Sequence, residues 1–258
     1  MMAEFRLNLK STVSMWPPHA EQNIADLGEG WRLADKMADL HSLALQRISR
    51  AAGRNPARQD EGVLLLGTHG LNLFIATMGL IAKGQFDVVS HLLRAGFDCQ
   101  SLAFAVGSRA DLAEKFFAGD LRPAECRKLV VVTIRAVDSE LADFIDSRYR
   151  DEFDAANELS HVSLTHVDKI LDRQGDTLTP IVGGRIDADL ARNMAGVALE
   201  NEYWHLVWFK AFRSSTLGQD WVDELSAIQG PFRGWMKEVS GATGYNADTD
   251  SYNETKER

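Results

Sequence analysis

Between Val88 and Val106 the apolar residues Val88, Leu92, Ala95, Cys99, Leu102 and Val106 recur at spacings of 4, 3, 4, 3 and 4. A segment with that period is committed to a helix with one dry side. Val89, Leu93, Phe97 and Phe104 widen the stripe, so this helix needs neighbours around much of its circumference and is predicted to sit centrally. Gly107-Ser108 ends it, and Arg109 to Ala118 reads as a short helix closed by Gly119.

The same period organises most of the remaining chain. Leu33, Met37, Leu40, Ala44 and Ile48 mark an amphipathic helix within Leu27 to Ile48, stopped by Asn55-Pro56. Asp60 is placed to cap the next helix, which runs to about Lys83. Asp120 and Pro123 are start signals for a helix whose stripe Val130, Ile134, Val137, Leu141, Ile145 and Tyr149 leads toward Leu159. It is predicted to be the longest element. Asp187 caps a helix striped by Leu190, Met194, Val197, Asn201, Trp204 and Trp208, and a last helix spans about Asp220 to Val239, with Pro231 expected to kink or divide it.

Around Gly175 to Gly184 the helical period lapses, and Leu178 to Gly184 reads as an irregular crossover with at most a short extended piece. Short connections between long amphipathic elements predict an all-α, up-and-down helical bundle of about seven or eight helices, with the irregular crossover near 175–184. The expected organisation is an N-terminal extension over 1–20, one helical bundle domain over 21–240, and a disordered polar tail over 241–258.

The 258-residue chain carries a formal charge of −9, which argues against a general binder of nucleic acid, since phosphate affinity is supplied by clustered Lys and Arg. Nucleic acid is not an expected partner, with RNA the one exception. The densest basic cluster, Arg47, Arg50, Arg54 and Arg58, surrounds a predicted helix end, where cations complement the helix dipole. The two cysteines, Cys99 and Cys126, have no CxxC partner, and the N-terminus lacks the apolar run of a secretory signal. A cytoplasmic location is expected. Val63 to Ala82 has the length of a membrane span, but His69 and Asn72 would be costly in lipid. The expectation is a buried helix, with no membrane.

No phosphate-binding glycine loop, dinucleotide fingerprint or nucleophile elbow is present, and no cofactor is expected. The metal-like signal is a pair of E-x-x-H motifs, Glu158 to His161 and Glu202 to His205. Three-residue helical spacing sets carboxylate and imidazole on one face, and di-metal carboxylate bundles use two such motifs with a further glutamate from each of two helices. Glu114 or Glu140 is available for one such role, whereas Val162 to Leu199 contains no glutamate. Surface or capping pairs are the simpler reading.

A second constellation is His91, Arg94 and Asp98 on the central helix, where Arg94 and Asp98 can pair at i, i+4. Such a pair braces neighbouring helices more often than it does chemistry. The catalytic alternative makes it one wall of a polar pocket with His161 opposite. The Trp204, Trp208, Phe209 and Phe212 group is read as core ahead of a ligand wall.

His91-Leu-Leu-Arg94-Ala-Gly-Phe-Asp98, then Ala110-Asp-Leu-Ala-Glu-Lys-Phe116, then Glu158-Leu-Ser-His161 resembles a broad bacterial family of uncharacterised helical proteins, with Asp98 standing where the family pattern has Glu. The similarity covers roughly Gly79 to His166 and implies an all-α fold. Such families also look like HEPN-type domains, whose R-x(4 to 6)-H motif serves RNA cleavage; none of the seven histidines here follows an Arg at that spacing. Two functions are therefore carried forward. The leading one is a non-catalytic helical interaction or regulatory protein with a protein partner or self-association, for which an aromatic helix face is one candidate surface. The alternative is a HEPN-like ribonuclease or metal-dependent hydrolase using His161 with Arg94, Asp98 or Glu158.

Overall fold

A computed structural model describes residues 16–136, 139–140, 142–143, 145–147, 150, 171–174, 177–180, 186–239, 245–246 and 251–252. The fold is an all-α bundle. Its helices are α1 (Trp16–Leu27), α2 (Glu29–Ala52), α3 (Arg58–Ala82), α4 (Phe86–Ser108), α5 (Ala110–Ala118), α6 (Pro123–Arg135), α7 (Ala188–Leu217) and α8 (Gln219–Val239). Further helical residues lie between 139 and 150.

The inward face of α4 is turned from the stripe its period singled out: of that stripe Cys99 and Val106 are buried, Leu92, Ala95 and Leu102 are half-buried, and Val88 is 42% exposed. Val89, Leu93, Phe97, Cys99, Phe104 and Val106 are buried, and α4 packs on α3, α5, α6 and α7. Helix α7 packs against α1, α2, α3, α4 and α8. Between α1 and α2 the chain turns at Gly28, whose φ of +50° is a region that residues with a Cβ rarely enter. Asp187 caps α7 as its sequence position suggests, its Oδ1 accepting from the Leu190 N–H at 3.0 Å.

Three details of the sequence reading are corrected. The helix from Pro123 stops at Arg135, and the 30-residue α7 is the longest described element. Five consecutive β-branched residues, Val130 to Ile134, lower helix propensity through lost χ1 freedom. Val132, outside the stripe, is 63% exposed and gains nothing from packing. The stripe nevertheless resumes across the break, because Ala142 and Ile145 share one cluster with Val130, Val131, Phe104 and Trp208.

The short extended piece expected within the crossover near 175–184 is one arm of a hairpin. Strands β1 (Leu171–Gln174) and β2 (Thr177–Pro180) pair antiparallel, with Gln174 opposite Thr177, and Gly175-Asp176 stands between them in the sequence. Gly-Asp between two short runs is a hairpin signal that the lapse in helical period obscured. A two-residue ladder, β3 (Tyr245–Asn246) with β4 (Ser251–Tyr252), lies nearer the C-terminus.

Asp60 lies in the first turn of α3, where it accepts from Arg213 Nη2 at 2.9 Å in place of capping the helix. Arg213 is itself the residue of non-helical φ/ψ within α7. Finally, α8 runs through Pro231 undivided. Its buried face of Trp221, Leu225, Ile228, Phe232, Trp235 and Met236 holds it in place by packing.

The start of α8 is also tied to α2 by charge. Arg47 presents both guanidinium nitrogens to Asp220, at 2.8 and 2.5 Å, and also donates to the Leu217 carbonyl. This fork lowers the Asp220 carboxyl from 3.8 to about 2, chiefly through the Arg47 hydrogen bond. A carboxyl depressed on folding stabilises fully above its unfolded pKa, and that contribution is lost as pH falls through the folded value. An NMR titration is expected to place the Asp220 midpoint near 2, with Arg47→Gln returning it toward 3.8. A midpoint near 3.8 in the parent protein would show that the fork does not form in solution.

Candidate functional site

Glu202 and His205 stand three residues apart on α7 and so share one face. That face is interior. His41 comes to it from α2, where it lies four residues after Met37 and three before Ala44, both fully buried. His41, Glu202 and His205 are 0%, 2% and 2% exposed. His41 Nδ1 lies 2.5 Å from Glu202 Oε1. The two imidazoles meet edge to face with centroids 5.0 Å apart. Phe209 closes over both rings, 4.9 Å from His41 and 5.4 Å from His205. One ligand atom from each of the three residues lies within 4.8 Å of the other two.

Helix α3 makes room for this cluster by omitting side chains. A Cβ on Gly70 would stand 2.4 Å from His205 Cε1 and 2.9 Å from Nδ1, and one on Gly67 would stand 2.9 Å from Phe209 Cζ. One turn of α3 is therefore a backbone wall on which the His205 and Phe209 rings rest. On α4, Cys99 is nearby in electrostatic terms. Its Sγ donates to the Leu66 carbonyl at 3.0 Å, and its pKa is pushed up to about 12, first by burial and then by the charge of Glu202. It is a protonated core thiol and a poor nucleophile.

Burial, and secondarily His41, hold the His205 imidazole well below its ordinary pKa, so it is neutral. A neutral imidazole has one N–H to donate and one lone pair to be met. His41 Nε2 and His205 Nε2 are both buried without a hydrogen-bond partner among the described residues. Each such orphan costs about 1–3 kcal/mol. The cluster is thus a carboxylate and two imidazoles, closely grouped, incompletely satisfied and sealed from solvent. It can hold a proton or an ion, but at this burial it cannot receive an organic substrate without the helices parting. A surface cleft of about 310 Å³ between α2 and α8 is lined by Lys36, Asp39, Leu40, Leu43, Glu224, Ala227 and Ile228, none of them a member of the cluster.

The structure brings together two of the sequence candidates, Glu202 and His205, and adds His41. The other motif, Glu158 and His161, lies outside the described residues. Arg94 and Asp98 are half-buried on α4, while His91 is exposed. Asp98 forms an ion pair with Arg127 of α6, Nη1 to Oδ1 at 2.6 Å. Burial raises the Asp98 pKa and outweighs the opposing charges of Arg127 and Arg94. Bracing between α4 and α6 is therefore the role that geometry gives Asp98, with a partner the i, i+4 argument had not identified. The aromatic group is core: Trp208 and Phe209 are buried, Trp204 stacks on Trp208 with centroids 5.4 Å apart, and Phe104 meets Trp208 edge-on at 4.8 Å.

His41 was missed, although a signal exists. It flanks the stripe Leu33, Met37, Leu40, Ala44 and Ile48 on its inner side, and a histidine so placed must face the core. No protein-family model, curated protein or solved structure matches this chain.

Proposed function

We propose that this protein is a non-catalytic helical interaction protein that self-associates through the outer face of α3. The observation that carries this reading is the absence of charge from an exposed helix. From Gly62 to Ala82 there is no Asp, Glu, Lys or Arg. Yet Leu65 is 52% and Ile75 54% exposed, with Thr68, His69, Asn72 and Ala76 exposed between and beside them. A helix face meant for water carries charged side chains, and uncharged, partly apolar faces mark contact surfaces.

The face is also self-complementary. In a two-fold antiparallel pairing centred on Asn72, Leu65 lies opposite Gly79, Thr68 opposite Ala76, and His69 opposite Ile75. A Cβ on Gly79 would meet nothing within 4 Å, leaving an open notch for the partner's leucine. Asn72 meets its own copy on the axis, where a carboxamide can both donate and accept. This is the isologous arrangement that two-fold dimers require. The rest of the surface, at −9 overall, opposes association, which favours the uncharged face as the meeting point. The aromatic residues of α7, an earlier candidate surface, are committed to the core.

Light scattering after size exclusion is expected to give twice the 28.6 kDa chain mass. Leu65→Glu with Ile75→Glu should return it to 28.6 kDa with unchanged far-UV circular dichroism. The same helix is long and apolar enough to cross a membrane. Recovery of the protein in detergent-extracted membrane in place of the aqueous fraction would therefore replace this reading. A single-chain mass across a wide concentration range would also sink it.

A further inference from the structure

We infer that His41, Glu202 and His205 form a structural site for one divalent transition-metal ion, with zinc the best match to its donors. Two imidazoles and one carboxylate are a recurrent three-ligand set for Zn²⁺, which takes a water as its fourth ligand there. The same three donors serve non-haem iron where open positions remain for substrate, but here burial of every member closes the site. The site is held by elements distant in sequence. His41 belongs to α2, the other two to α7, and Gly70 of α3 supplies the space.

Three independent features point to an ion as opposed to a polar core alone. First, the donor atoms already lie within 4.8 Å of one another. Bonds of about 2.0–2.2 Å in a tetrahedral arrangement set donors about 3.3–3.6 Å apart, so the His41 to Glu202 contact of 2.5 Å has to open by about 1 Å to admit the ion. Second, both Nε2 atoms are sealed without a hydrogen-bond partner among the described residues. Rotation of either ring offers a lone pair to the ion, and the other nitrogen remains available for outer contacts. Third, the enclosing groups are Phe209, Gly67 and Gly70, a dry shell in which an ion among a carboxylate and two imidazoles is far less screened than in water.

A site this enclosed fills as the chain folds, so its effect is on stability. Protein purified without chelator is expected to contain about one zinc per chain by elemental analysis. After unfolding in chelator and refolding, addition of Zn²⁺ during refolding should raise the melting temperature relative to a metal-free sample. Co²⁺ in its place should give visible absorption bands that Zn²⁺ abolishes. His205→Gln and Glu202→Gln should each reduce bound metal at least about tenfold, the scale on which a lost ligand or supporting group acts. Should either variant fail to fold, the Co²⁺ spectrum and Zn²⁺-dependent melting of the parent protein decide alone. His161→Ala, in the other E-x-x-H motif, should leave the metal content unchanged. Absence of metal together with identical melting with and without Zn²⁺ would overturn the inference and leave a hydrogen-bonded polar core. Retention of one zinc in a folded His205→Gln protein would overturn it too, by placing the ion elsewhere.

Discussion

Trp221→Ala is expected to lower the unfolding free energy by about 3–5 kcal/mol, the range for truncating a buried aromatic. Trp221 is 0% exposed and the largest of the fully buried side chains. It occupies the first turn of α8, the element that must dock on both α2 and α7. Its indole also does what a buried Trp has to do with its polar edge: Nε1 donates to the Leu40 carbonyl at 2.9 Å. Alanine removes the ring, leaves a cavity in the main core of which Trp221 is a member, and breaks the hydrogen bond that ties α8 to α2. Trp221→Phe separates the two effects, since most of the packing returns while the hydrogen bond does not. It should cost about 1–2 kcal/mol, the scale of one hydrogen bond plus imperfect filling. At about 2–4 °C per kcal/mol for a chain of this size, the alanine variant should melt roughly 6–20 °C below the parent. Urea unfolding followed by circular dichroism measures both; a change under about 1 kcal/mol for alanine would mean that α8 is not docked in solution as described.

How much of this was legible beforehand depended on whether the signal was local. Period 3.6 is local, and the helices α2, α4 and α7 follow from it; the buried face follows residue by residue in α2, whereas in α4 and α7 it is turned from the stripe read, with Val88 exposed and Val197, Asn201 and Trp204 half-buried. The end of α6 was less legible because two local signals conflict there: the stripe continues through Ile145, while the β-branched run Val130 to Ile134 weakens the helix that carries it. Packing then kept the stripe and gave up the continuity, as the shared cluster of Val130 and Ile145 shows. Pro231 misled in the opposite direction. A proline lacks one donor, but six buried side chains between Trp221 and Met236 outweigh that loss.

The site was harder to read because it is a property of three helices at once. The E-x-x-H spacing disclosed Glu202 and His205 as a pair, which is as far as one helix can go. Their partner His41 lies 161 residues away from Glu202, and no spacing rule connects them. Asp98 shows the same limit. Helical spacing offered Arg94, whereas the ion pair to α6 runs through Arg127, across 29 residues of sequence. What the sequence did hold was the clue of composition against position: a histidine beside a buried stripe, and glycines in the middle of a long apolar helix, where each weakens the helix by about 1 kcal/mol relative to alanine.

That last clue yields the second large effect. Gly70→Ala is expected to destabilise the protein by about 1–3 kcal/mol, the cost of overpacking a filled core, even though alanine is the better helix former. The added Cβ would come to 2.4 Å from His205 Cε1. The ring cannot simply retreat, because Phe209 and His41 stand against it at centroid distances of 5.4 and 5.0 Å. Gly234→Ala provides the comparison. That glycine lies within α8, with nothing within 4 Å of its Cβ position, so alanine there should stabilise by about 0.5–1 kcal/mol through propensity alone. Opposite signs from one substitution in two helices would show that contact with His205 decides the outcome. The cycle with His205→Ala makes this stricter. Once the ring is gone, Gly70→Ala should lose its penalty and approach the gain seen at Gly234, a coupling of at least about 1 kcal/mol between residues in contact. If Gly70→Ala were equally harmful with and without the imidazole, the penalty would lie in the backbone of α3, and the close seating of His205 on that helix would be wrong.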